Sequence, residues 1–203
     1  MSPQPDNQTA APASYGSAAA GPNEFTPEER AVLLKVAHES ILSALERREI
    51  SLSPPSPHFA EPRGAFTTIY LHGQLRGCVG YVFPVTSVYR TVAETARAAA
   101  FEDTRFSPVT VEEAAGVEVS LSILSPLKVI SPEELEIGVH GLVVSQGARR
   151  GLLLPQVPVE HHWDRTTFIE QTCLKAGLPR DAWQKGATLE AFTAEVFGDR
   201  DMR

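Results

Sequence analysis

Eight consecutive residues, "VEVSLSIL" from Val117 to Leu124, constrain this chain more than any other stretch. In an extended strand successive side chains point to opposite faces. Val117, Val119, Leu121 and Ile123 therefore share one face, and Glu118, Ser120 and Ser122 the other. A strand of this kind belongs in a sheet with one covered face, which is the habit of antiparallel sheets with helices packed on them.

The helices that would supply the cover are marked by caps and by period. In "TPEER", Thr26 is an N-cap, Pro27 suits the first helical position and Glu29 completes a capping box. Leu34, Ala37, Ile41 and Leu45 then recur at helical spacing, predicting a helix to about Arg48. "SLSPPSPHFAEPRG" reads as a proline-stiffened connection. "GAFTTIYLHG" and "QLRGCVGYV" read as a β-hairpin turning at His72-Gly73. Val88, Val92, Ala96, Ala99 and Ala100 predict a second helix ending near Phe101, followed by the loop "EDTRFSPVT". "SPEEL" opens a short capped turn, and "HGLVVSQGARRGLLLP" is a second hairpin around Gly147. Asp164 or a nearby threonine caps a third helix that buries Phe168, Ile169, Thr172, Cys173 and Ala176 and stops at Gly177-Leu178-Pro179. "TLEAFTAEVFG" reads as a last strand with Phe192, Ala194 and Val196 inward.

This order predicts an α+β fold, a largely antiparallel sheet with helices packed on it, in one domain or two intimate lobes. Two hairpin-plus-helix segments, 64–101 and 140–177, follow the same order, though no sequence repeat ties them together. Residues 1–24 are rich in Ala, Pro, Ser and Gly with Tyr15 the single aromatic, and are expected to be a disordered tail. The folded domain is expected over 25–198, with a short C-terminal tail at 199–203.

The net charge of -7 argues against non-specific nucleic-acid binding, which depends on neutralising phosphates. Cys78 and Cys173 form no CxxC, and the N-terminus lacks the basic start and apolar run of a signal peptide. Free thiols in a reducing cytoplasm are the expectation. No apolar run reaches the roughly 18 residues of a membrane span.

The residues with chemical potential gather in "LHGQLRGCVG". Gly77 and Gly80 bracket Cys78 and permit close approach to the backbone. Arg76 offers a planar fork of donors for a carboxylate or phosphate, and a guanidinium beside a thiol favours the thiolate. In a regular strand residues 76 and 78 share a face. Two readings stay open: a nucleophilic or carrier Cys78 beside an anion-binding Arg76, or a small core cysteine and a solvated edge charge. Asp103 and Arg105, between Phe101 and Phe106, would flank such a pocket or form a local ion pair, and Glu118 could answer Arg76 or a ligand. His72 and His140, each beside a turn glycine, are candidate bases for the thiol. Arg149 and Arg150 sit at a hairpin turn, where solvated charge is the default. His161 and His162 lack a third ligand at suitable spacing, so no metal site is expected. No phosphate-binding GxxxxGK[ST], dinucleotide GxGxxG, HExxH or GxSxG motif occurs.

Taken together, "LRGCVG", "AAAFEDTRFSPV", "EVSLSILSPL", "GVHGLVVSQGARRGLLLPQV" and "HHWDRTTFIEQTCLKAGLP" resemble the AMMECR-like domain family, whose bacterial members include AmmeMemoRadiSam system protein A. The resemblance runs from about Phe25 to Gly198. It implies a compact α+β fold and, as companions, Memo-like proteins and radical S-adenosylmethionine proteins. It names no reaction and no cofactor. Three functions are consistent with it: a ligand-handling or catalytic component of a modification system, with the LRGCVG hairpin as a pocket for a small anion; a non-catalytic module that docks a Memo-like or radical enzyme through "GLLLPQVPV"; and nucleic-acid binding through Arg76, Arg105, Arg149 and Arg150, which the acidic balance opposes.

Overall fold

The computed structural model describes residues 24–202. Residues 1–23 of the expected tail lie outside the described residues. Two compact units emerge, one built from residues 24–124 and 195–202, the other from 125–194.

The first unit begins with helix α1, Pro27–Glu46, whose capping box forms as the sequence predicts. Its Glu29 N–H donates to Thr26 and the Thr26 N–H to the Glu29 carboxylate, satisfying two donors that a helix start leaves orphaned. Leu33, Leu34, Ala37 and Ile41 face the core. A single helical turn, α2, Pro57–Ala60, interrupts the proline-rich connection. Strands β1, Ala65–Leu71, and β2, Gln74–Tyr81, form the hairpin, with His72 and Gly73 at φ 51° and 78° as a two-residue primed turn requires. Ser87 caps helix α3, Val88–Phe101, which buries Val88, Val92, Ala96, Ala99 and Ala100. A methyl group at Gly77 would overlap the Ala99 carbonyl oxygen, so α3 rests directly on the β2 backbone.

Beyond α3 comes the short helix α4, Val111–Ala114, and then β3, Val117–Leu124, antiparallel to β1. The alternation of β3 is borne out: Val117, Val119, Leu121 and Ile123 are all buried in the core that α1 and α3 cover. Each such side chain, fully buried, contributes roughly 1.5–3 kcal/mol.

The second unit opens with β4, Lys128–Val129, and repeats the plan. A hairpin of β5, Gly141–Gln146, and β6, Arg149–Leu153, turns at Gly147. After the short α5, Gln156–Glu160, helix α6, Arg165–Lys175, packs on that hairpin, and Asp164 caps it by accepting the Thr167 N–H at 2.7 Å. Phe168, Ile169, Thr172, Cys173 and Ala176 are buried, as their spacing predicts. Strand β7, Thr188–Phe192, completes the core as the neighbour of β5.

The last strand departs from expectation. It is two strands, β7 and β8, Ala194–Gly198, broken at Thr193 and belonging to different sheets. The strand orders are β2-β1-β3-β8 and β4-β7-β5-β6. Each sheet thus takes a hairpin, then the strand after the helix, then a fourth strand at the far edge, which in the first sheet comes from the distant C-terminal end of the chain. Phe192 is buried as expected, but the parity otherwise differs: Leu189, Ala191, Glu195 and Phe197 are buried, whereas Val196 is exposed. A one-residue slip inverts a strand, and Glu195 disguises the true inward face. Its carboxylate is buried because it accepts the Glu24 and Phe25 N–H groups and the Arg30 guanidinium. Residues beyond Gly198, expected as a tail, form a 3-10 turn over Asp199–Met202. There Asp199 accepts the Val119 N–H at 2.7 Å and meets His38 at 2.9 Å, and Asp201 accepts the Gly198 N–H.

Candidate ligand-binding site

The LRGCVG strand is not a regular strand where it matters. Ile69 pairs with Gly77 and Tyr70 with Leu75, so Arg76 is the extra residue of a β-bulge. The bulge breaks the two-residue period that would align Arg76 with Cys78, and the two side chains take separate partners. Arg76 donates Nε and Nη2 to the two oxygens of Glu113 at 3.1 and 3.0 Å, and Nη1 to the Ser107 carbonyl at 2.7 Å. Nη2 also reaches the Pro108 carbonyl at 3.3 Å. Its side chain is 13% exposed, and its donors are committed within the fold.

Cys78 is buried opposite Thr68, whose hydroxyl donates to the sulfur at 3.1 Å. Burial pushes the thiol above its ordinary value, outweighing the opposing pull of the Thr68 hydrogen bond and the Arg105 charge. Such a cysteine is a protonated thiol at neutral pH and a poor nucleophile. The expected bases do not serve it: the sulfur's hydrogen-bond partner is Thr68, and His140 accepts the Glu136 N–H through Nδ1.

What the hairpin does bring together is Cys78, Asp103 and Arg105. The Cys78 N–H donates to Asp103 Oδ2 at 2.9 Å. Arg105 grips the same carboxylate through Nε at 2.9 Å and Nη2 at 2.6 Å, and its backbone N–H adds a third contact. Chiefly because of Arg105, the Asp103 carboxyl is lowered to about 2. The Asp103 side chain is 7% exposed but that of Arg105 is 44% exposed. The outer Nη1 of Arg105 has no protein partner among the described residues, and the guanidinium lies over the Phe106 ring.

The hairpin therefore pins residues 103–113 at three places: Asp103 through the Cys78 amide, Ser107 and Pro108 through Arg76, and Glu113 through the same guanidinium. Gly77 admits α3, and Gly80 lies under the Phe66 ring, where a methyl group would overlap it. Glu118 answers neither Arg76 nor Cys78. Its Oε2 accepts Arg200 Nε and Nη2 at 2.9 and 2.7 Å.

Glu113 and Arg200 are the partners that sequence reasoning missed. Thr110-Val-Glu-Glu113 is a legible capping box, and it forms, but nothing local ties Glu113 to Arg76. Elsewhere in this unit Glu24, His58 and Glu61 present ligand atoms within 4.8 Å of one another. Buried Arg63 is already paired with both carboxylates. His161 stacks on Trp163 with ring centroids 4.7 Å apart.

Residues 34–197 match the family model AMMECR1. The chain belongs to the AMMECR1 family. Its AMMECR1 relatives include Protein MK0488 of Methanopyrus kandleri, 40% identical over 88% of this chain and 92% of that protein. Protein MJ0810 of Methanocaldococcus jannaschii is 38% identical over 88% and 94%. The crystal structure of the uncharacterized protein PH0010 from Pyrococcus horikoshii superposes with a TM-score of 0.62 at 36% identity, covering 82% of this AMMECR1 chain and 89% of that one. Among the described residues no helix is long and apolar enough to cross a membrane.

Proposed function

We propose that this AMMECR1 chain is a ligand-handling component of a modification system whose other members are Memo-like and radical S-adenosylmethionine proteins. It binds a small anion at the loop 103–107, with Arg105 as the contacting group. The observation that carries this reading is the half-exposed Arg105 guanidinium, held on one edge by buried Asp103 and bare on the other. A planar fork oriented by a carboxylate behind it loses little entropy when it meets a second carboxylate or a phosphate.

In this reading Arg76 and Cys78 do not touch the ligand. They brace the loop that does, and Cys78 is a packing residue that supplies its backbone N–H to Asp103. Catalysis by the thiol has no support from its burial or from its neighbours.

The test is an anion titration of the isotope-labelled protein followed by amide shifts. Acetate and inorganic phosphate should move residues 103–107, and Arg105→Ala should weaken binding at least about tenfold, the loss expected for one charge-assisted pair. Cys78→Ser should leave it within about twofold. Anion binding that ignores Arg105→Ala would overturn the reading.

A further inference from the structure

A second arginine stands in the same relation to the sheet as the first. Arg200 gives Nε and Nη2 to Glu118 Oε2, and its outer Nη1, like that of Arg105, has no protein partner among the described residues. Its position is built rather than incidental. The turn that carries it is tied to β3 through Asp199 and to β8 through Asp201.

The register places Tyr70 between the two arginines. On β1, Thr68 sits opposite Cys78 of β2, and Tyr70 sits opposite Glu118 of β3, all on the face turned away from α3. Arg105 reaches the sheet from the β2 side, through Asp103 and the Cys78 amide, and Arg200 from the β3 side, through Glu118. Since β1 runs between β2 and β3, and Cys78 is level with Thr68 but Glu118 with Tyr70, the two anchor points are two strands and two residues apart, about 12 Å, with Tyr70 on the intervening strand at the level of Glu118. The Arg200 guanidinium lies 5.8 Å from the centre of the Tyr70 ring. The Tyr70 hydroxyl has no hydrogen-bond partner among the described residues, and burial pushes its pKa up, so it remains a donor at neutral pH.

We infer that Tyr70, Arg105 and Arg200 form one recognition site for the phosphoryl group of a phosphorylated small molecule. This deepens the reading above and rests on it. The two guanidinium edges offer donors only, one from each flank, and the Tyr70 hydroxyl adds an O–H donor beside Arg200. A tetrahedral phosphate presents terminal oxygens out of any one plane and can face donors on both flanks and the hydroxyl at once, whereas the two oxygens of a carboxylate lie in one plane. Asp103 and Glu118 hold the two forks by their inner edges and balance their charge, so selection rests on the geometry of the donors.

The experiment compares inorganic phosphate with acetate at pH 7.5, by calorimetry and amide shifts, on the full chain and three variants. Arg200→Ala and Arg105→Ala should each weaken phosphate at least about tenfold, and Tyr70→Phe by about threefold. Acetate, served by one arginine, should be weakened by Arg105→Ala alone. Arg200→Lys, which keeps the charge but not the fork, should weaken phosphate while leaving the melting temperature unchanged, which separates recognition from folding. Phosphate binding that depends on Arg105 but ignores both Arg200→Ala and Tyr70→Phe would overturn this inference and leave the anion-binding reading standing. Indifference of every anion to Arg105→Ala would remove both.

Discussion

Asp103 carries the heaviest electrostatic commitment near the hairpin, and its consequence is a pH dependence. Its folded pKa, about 2 against an ordinary 3.8, corresponds to at most about 2 kcal/mol, less some screening because Arg105 is 44% exposed. The folded value lies below the unfolded one. The contribution is therefore complete above the ordinary value and disappears as pH falls through the folded value. Asp103→Asn should be less stable than the parent in urea at pH 6, with a gap that narrows steadily below about pH 4. A gap of constant size down to pH 3 would show that the Arg105 pair contributes nothing. At this scale the sequence was only partly legible. The neighbours Asp103 and Arg105 are two residues apart and their pairing could be read directly. Arg76 and Glu113 are 37 residues apart, and no periodic pattern marks which carboxylate a guanidinium will choose.

At the scale of elements, caps and periods were informative because they are local. The capping box at Thr26, the cap at Asp164, both hairpins and the alternation of β3 all form where the residues say they should. Irregularities were not legible. The bulge at Arg76 is fixed by how β2 meets β1, and the parity of β8 by a buried glutamate whose partners lie about 170 residues away. Gly77 is the position where elements meet most closely. Gly77→Ala would press a methyl group into the Ala99 carbonyl, and backbone cannot yield as a side chain does. Its expected cost is about 3 kcal/mol, at the upper end of overpacking penalties, read as a lowered urea midpoint. A variant within about 0.5 kcal/mol of the parent would mean that α3 is free to slide on the hairpin.

For the whole molecule, two cores imply that damage can be confined. A methyl at Gly151 would overlap the α6 backbone at Ala176, within the second unit. Gly151→Ala should raise amide exchange at Val143, Val144 and Leu152 while Ile69 and Leu121 keep their protection. Equal loss in both units would show a single cooperative transition instead. The α+β class and the two hairpin-helix halves were determined by the sequence itself, because helical and strand periods and turn residues act between near neighbours. Which strand joins which sheet, and which carboxylate holds each arginine, were decided only by the tertiary structure. Those choices depend on groups brought together from distant parts of the chain, where charge and burial, not spacing, select the partner.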